Sequence, residues 1–347
     1  MHFASDNSGP VPQQVLDALH EANTGHVMAY GADPLTDEVT GLIRDLFEAP
    51  NAAVHLVATG TAGNALALST LCQPYQTVFC TPCAHIHMDE CNAPEFFTGG
   101  AKLTLVPGDD RMTPEALRHA ILNEGNRGVH GPQRGPVSLT NATEWGNVYD
   151  PDQIKALAAV AREFGLPVHL DGARFANACV ALGCTPAEMT WKAGVDVAVF
   201  GGTKNGLMGV EAVIFFDPAQ AQSFELRRKR GAHLFSKHRY LSAQMAAYLR
   251  DDLWRGLALR ANTACARLVD GLRDAGFGFA NDPVANMVFI RMPRSVHQRA
   301  MAAGAVYHIW EGALEGDDPD EILTGRLVCD WSTSDAEIDA FLTVIGE

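Results

Sequence analysis

An α/β fold built on one large, mostly parallel sheet is predicted from three observations. Strand-like apolar runs at residues 54–58, 77–80, 102–106, 137–140, 167–170, 195–200 and 212–216 alternate with amphipathic stretches near 36–48, 62–71, 113–123, 151–164 and 173–182. Such alternation places helices on both faces of a parallel sheet. The run at 195–200 is uniformly apolar and stops at Gly201-Gly202, as a fully buried strand does. The last run, 212–216, follows too closely for a helical crossover, so it is expected to be antiparallel to its predecessor. Thr113-Pro114 and Asp150-Pro151 are helix starts, with proline where the orphan N–H would be.

Beyond Phe216 the pattern changes. Residues 219–230 are helical and end in Arg227-Arg228-Lys229-Arg230, a solvated basic face by default, and 240–274 are mostly helix-forming. Strands at 287–291 and 327–331 and helices at 296–303 and 335–345 follow. The expected organisation is a large domain over 1–240, N-terminal segment included, then a linking helix and a small α/β domain over 241–347.

The 347 residues carry a formal net charge of −15, with 47% apolar and 19% charged residues. That composition is globular, and its field repels nucleic acid and anionic membranes. Met1 to Gly9 lacks the basic and apolar regions of a secretion signal, and no apolar run approaches the ~18 residues of a membrane span. A soluble cytoplasmic protein is expected, its eight cysteines read as free thiols. Cys80-Thr-Pro-Cys83 has no second pair with which to complete a zinc site.

Four places can carry chemistry. Gly201-Gly-Thr-Lys204-Asn205 delivers one lysine to the mouth of a sheet, where a desolvated amine can form a Schiff base with a carbonyl cofactor. The glycine pair permits close backbone approach or positive φ. Gly60-Thr61 opens the helix after 54–58, and free N–H groups there suit a phosphate, although a simple capped helix has the same look. Asp171-Gly-Ala-Arg174 ends a strand at the carboxyl edge, where an aspartate can face a protonated ring nitrogen and an arginine a carboxylate; alone, it reads equally as a helix cap and a surface arginine. His85, on the loop after 77–80, can stack on a ring and move protons. With His87 and Glu90 it lacks the i, i+4 histidine pair of a zinc helix, so no metal is expected.

A phosphate cup, a ring stacker, a pyridinium partner and a Schiff-base lysine, all on successive strand ends, are what pyridoxal phosphate requires. No GxGxxG follows an early strand, which argues against a nicotinamide dehydrogenase. The sequence resembles the L-threonine and phenylserine aldolases of the low-specificity type, within the fold type I pyridoxal-phosphate enzymes. The resemblance runs through Phe3-Ala-Ser-Asp-Asn7, Ala29-Tyr-Gly-Ala-Asp-Pro34, Gly60-Thr61 with Asn64, His85 with Glu90, Asp171-Gly-Ala-Arg174, Gly201-Gly-Thr-Lys204-Asn205 and Gly325-Arg326.

That resemblance implies a seven-stranded large domain, pyridoxal phosphate as cofactor, and cleavage of a β-hydroxy-α-amino acid to glycine and an aldehyde. It implies Lys204 as the Schiff-base lysine, Asp171 as the ring-nitrogen partner, His85 as ring stacker and candidate base, and Gly60 and Thr61 as the phosphate cup. Ser5, Arg174 and Arg326 are implied to hold the substrate carboxylate. Tyr30, with Lys229 and Lys237 as candidates for a phosphate contact, is implied to reach a neighbouring subunit's site in a homodimer or homotetramer. One departure stands out: in Asn141-Ala-Thr-Glu144, Glu144 occupies the place where many relatives carry a second histidine. Glu144 is the expected replacement base, and a bulkier substrate such as phenylserine fits the change. The rival readings are another reaction on the same scaffold (β-elimination, transamination or racemisation) or a noncatalytic binding protein.

Overall fold

The computed structural model describes residues 1–346. Seven strands form the large sheet: β1 (Ala53–Val57), β2 (Gln76–Cys80), β3 (Lys102–Leu105), β4 (Gln133–Thr140), β5 (Val168–Asp171), β6 (Val197–Gly201) and β7 (Glu211–Phe215). Their order is β1-β7-β6-β5-β4-β2-β3. β6, β5, β4, β2 and β3 pair in parallel, whereas β7 is antiparallel to both β6 and β1. The two reversals leave β1 pointing the same way as β6. The carboxyl ends of β1, β2, β4, β5 and β6 therefore share one edge.

All seven expected strands are present. β5, β6 and β7 are buried along their whole length, as near-continuous apolar runs require. Helices Pro114–Asn123 and Pro151–Glu163 begin where the proline signals place them, capped by Thr113 and by an Asp150–Gln153 capping box. Phe47, Phe175, Phe200, Tyr248 and Trp254 pack behind β6, with ring centroids 5.5–6.1 Å apart.

A second, antiparallel sheet comprises β8 (Gly278–Phe279), β9 (Met287–Pro293), β10 (His308–Glu311) and β11 (Ile322–Val328), in the order β10-β11-β9-β8. Arg326 therefore lies on an interior strand, not on an edge. Phe3 is fully buried in this sheet's core, and Val328 N–H donates to the Phe3 carbonyl at 2.9 Å. Helix Leu253–Asp274 serves both cores: Trp254, Leu257 and Ala258 pack in the first, Ala264, Leu268 and Leu272 in the second.

Several elements differ from expectation. The helical stretch at 240–274 is broken at Arg250–Asp252, where Asp251 and Asp252 take φ of 53° and 54°. The last strand ends at Val328, so residues 329–331 lie outside it. Arg228 is not solvated: it is buried against the edge strand, and its Nη1 donates to the Leu56 carbonyl at 3.1 Å. No described helix is long and apolar enough to cross a membrane.

Glycines 172, 201 and 202 serve the sheet edge itself. A Cβ on Gly201 would stand 2.5 Å from the Ala173 carbonyl oxygen, and one on Gly202 would stand 2.7 Å from that of Val210. The close approach foreseen for this pair is thus backbone against backbone, with no positive φ at either residue. Gly172→Ala would drive a methyl into the Val199 carbonyl. It is expected to lower unfolding stability by about 1–3 kcal/mol, read from the urea midpoint; an unchanged midpoint would contradict this packing.

Candidate active site

The turn after β6 is shaped before Lys204 is placed. Thr203–Asn205 form one 3₁₀ turn, closed by Gly206 at φ 102°. The Asn205 side-chain amide donates to the Tyr248 hydroxyl at 2.7 Å and to the Trp254 carbonyl at 2.8 Å. Tyr248 in turn donates to the Gly201 carbonyl at 3.1 Å, and Glu211 Oε2 accepts from Gly202 N–H at 2.7 Å. Held on both sides, the turn aims Lys204 into a cavity of about 360 Å³ that Gly60, Thr61, His85 and Asp171 also line. Among the described residues the half-buried Lys204 side chain pairs with no carboxylate, so its amine is not committed to an internal partner.

Helix Gly60–Leu71 begins at the cavity wall. Its cap is Thr59, whose hydroxyl accepts from Ala62 N–H at 3.2 Å. The Gly60 and Thr61 amides precede that bond and lack a partner among the described residues, and a Cβ on Gly60 would meet open space.

Asp171 is buried, and both of its oxygens are occupied: Oδ1 accepts from Ala173 N–H at 3.0 Å and Oδ2 from the Asn64 amide at 2.9 Å. It is not the helix cap, because the next helix starts later, at Phe175. The same Asn64 amide donates to Glu90 Oε1 at 2.8 Å, and that oxygen meets His85 Nδ1 at 2.9 Å. His85, Glu90 and Asp171 thus lie within 4.8 Å of one another, while His87 is exposed and outside the cluster. His85 itself opens a one-turn helix, His85–Met88, rather than sitting in a loop. Burial opposes its protonation, but the Glu90 hydrogen bond and the charges of Asp171 and Glu144 outweigh burial and hold its pKa above the ordinary 6.5.

Arg174 is buried, with Nε 2.7 Å from Asp6 Oδ2 and Nη2 3.0 Å from Asp6 Oδ1. It is therefore no surface arginine, and the edge it would offer a ligand is the one carrying Nη1. Arg326 stacks 4.9 Å above the Trp310 ring and donates to the Ala4 carbonyl at 3.3 Å; its buried Nε has no partner among the described residues. Burial and the neighbouring Arg174 charge lower its pKa. Ser5 sits in the same N-terminal turn, its hydroxyl accepting from Asn7 N–H at 3.1 Å. Glu144, half-buried in the turn after β4, places its charge near His85, Arg174 and Arg326.

Tyr30, Lys229 and Lys237 stand apart. Lys229 Nζ lies 4.4 Å from the Tyr30 ring centroid on an exposed surface, and Lys237 lines a different cavity. Asp6 and Glu211 belong to the site without having been singled out in the sequence. Asp6 lay inside a recognised segment, whereas nothing marked Glu211, a charged residue at a strand start. The free thiols are mostly buried, Cys91 being exposed.

A lone lysine at the carboxyl edge, facing a buried aspartate and a histidine, on this sheet and with this second domain, defines a fold type I pyridoxal-phosphate enzyme. The family model for beta-eliminating lyases matches residues 2–316. A low specificity L-threonine aldolase from Pseudomonas aeruginosa is 41% identical over 95% of this chain and 93% of its own. A second, from a Pseudomonas species, is 40% identical over 97% and 94%. A solved Leishmania major threonine aldolase superposes with a TM-score of 0.92 at 26% identity, covering 99% and 98% of the two chains. A Sphingomonas wittichii serine palmitoyltransferase, 15% identical, shares the fold at a TM-score of 0.72. The chain belongs to the beta-eliminating lyase family, among its low-specificity L-threonine aldolases.

In the cofactor-free protein, an NMR titration of His85 is expected to show a midpoint above 6.5. Glu144→Gln should lower it, because removing a nearby negative charge disfavours the imidazolium. A midpoint below 6.5, or one indifferent to Glu144, would contradict this electrostatic picture.

Proposed function

We propose that the chain cleaves a β-hydroxy-α-amino acid of the threonine, allo-threonine or phenylserine type to glycine and an aldehyde, with pyridoxal phosphate as cofactor. The observation that carries this reading is the uncommitted Lys204 amine in one cavity with Asp171, His85 and the free Gly60 and Thr61 amides. That donor set fits the cofactor part by part. Lys204 would hold its carbonyl carbon, Asp171 its ring nitrogen, His85 its ring face, and the two helix-start amides its phosphate. When bound, the cofactor supplies an electron sink conjugated to the substrate α-carbon.

The protein's own groups do the rest. Arg174 and Arg326, with Ser5 beside them, bind the α-carboxylate and so orient the Cα–Cβ bond. Glu144 takes the β-hydroxyl proton, with His85 the second basic group within reach of the site. As the hydroxyl becomes a carbonyl, the Cα–Cβ electron pair stays with the α-carbon, which then gains a proton and leaves as glycine. Asp171, anchored by Asn64 and the Ala173 amide, keeps the ring nitrogen's proton in place throughout. Tyr30, Lys229 and Lys237 are assigned to a neighbouring subunit's site in a homodimer or homotetramer. Met28 and Tyr30, 71% and 48% exposed, offer the apolar surface such an assembly covers.

Equimolar glycine and aldehyde from threonine, allo-threonine or phenylserine is the expected result; an α-keto acid, ammonia or a racemised amino acid would place another reaction on this scaffold. Lys204→Ala is expected to remove both the near-visible absorbance of the bound cofactor and the activity. Glu144→Gln is expected to depress turnover by about 10²-fold or more while leaving cofactor loading unchanged; unaltered turnover would remove Glu144 from the mechanism.

A further inference from the structure

Arg174 follows a strand of the large sheet and Arg326 lies within the small one, so a single carboxylate can meet both only if their relative placement is fixed. We infer that Asp6 is the positioning residue that sets Arg174 for carboxylate binding, with Asn286 as its hold on the second domain; this rests on reading the two arginines as the substrate clamp. The Asp6 side chain is wholly buried and covers the Nε–Nη2 edge of Arg174. The guanidinium cannot then rotate without breaking two charged hydrogen bonds, and its Nη1 edge stays presented. Asn286, buried just ahead of β9, donates through one amide nitrogen to Asp6 Oδ2 at 3.1 Å and to the Cys329 carbonyl at 2.9 Å. Two residues before Asp6, the Ala4 carbonyl accepts from Arg326, and one residue further back Phe3 is sealed in the second core. Residues 3–6 therefore act as a gauge between the two arginines.

Arg174 and Asp6 cancel, so the pair adds orientation and no net charge; Arg326 and Glu144 are the other charges a carboxylate meets there. A buried ion pair is a weak source of stability compared with apolar packing of the same volume, so its worth here lies in orientation.

The test uses calorimetric titration of the cofactor-loaded enzyme with two probes: glycine, and ethanolamine, which keeps the amine and lacks the carboxylate. Asp6→Asn is expected to weaken glycine on the order of 10- to 100-fold and to leave ethanolamine unchanged, because asparagine cannot accept from both Nε and Nη2. Asn286→Ala retains both charges and the Asp6–Arg174 pair; it is expected to weaken glycine about tenfold, again without effect on ethanolamine. Should Asp6→Asn fail to fold, Asn286→Ala decides alone. Equal weakening of both probes would mean a merely structural pair and would overturn the inference, as would unchanged or tighter glycine binding. Selective loss of glycine in an enzyme that forms no aldehyde would uphold the inference and sink only the proposed reaction.

Discussion

β7 runs against both of its neighbours, and the site depends on those two reversals coming as a pair. With one alone, β1 would point the other way and the Gly60–Leu71 helix would begin on the far edge of the sheet, remote from Lys204. With both, five strand ends converge: β1 leads to Gly60 and Thr61, β2 to His85, β4 to Glu144, β5 to Asp171, and β6 to Lys204. A sheet edge is also where backbone groups run out of partners, which is why free amides collect there. Glu211, the first residue of β7, fastens the reversal to the lysine turn by accepting from Gly202 N–H. Burial raises its carboxyl pKa to about 7, despite the Gly202 hydrogen bond and the nearby Lys204 charge.

On the proposed function, a chain with a net charge of −15 has to draw two anions, a phosphate and a carboxylate, into one site. The groups proposed for that task are short-range donors, helix-start amides for one anion and two arginines for the other, while three nearby carboxylates are tied down. Asp171 is bound by Asn64 and Ala173, Asp6 by Arg174 and Asn286, and Glu90 by His85 and Asn64. Each of these three carboxylates thus has a fixed direction, and none is spent on Lys204.

Much of this could be read from the sequence, because buried parallel strands and prolines at helix starts leave local signals. The seven strands, the antiparallel β7 and the convergence of Gly60, His85, Asp171 and Lys204 follow from such signals. What escaped depends on distant partners or on local backbone choices. Asp6 meets Arg174 across 168 positions, and no local pattern marks it. Arg228 sits in a run of four cations that looks solvated, yet it turns inward to the Leu56 carbonyl. The break at Asp251 and Asp252 uses left-handed conformations that an Asp-Asp pair does not announce. The small domain's β8 is two residues long, too short for any periodicity to show.

Lys204, alone among the lysines, is proposed as the amine that the rest of the fold prepares. Borohydride reduction of the protein saturated with pyridoxal phosphate, followed by peptide mass mapping, should yield one reduced adduct per chain, on Lys204. An adduct on Lys229, Lys237 or another lysine in its place, or none at all, would contradict it.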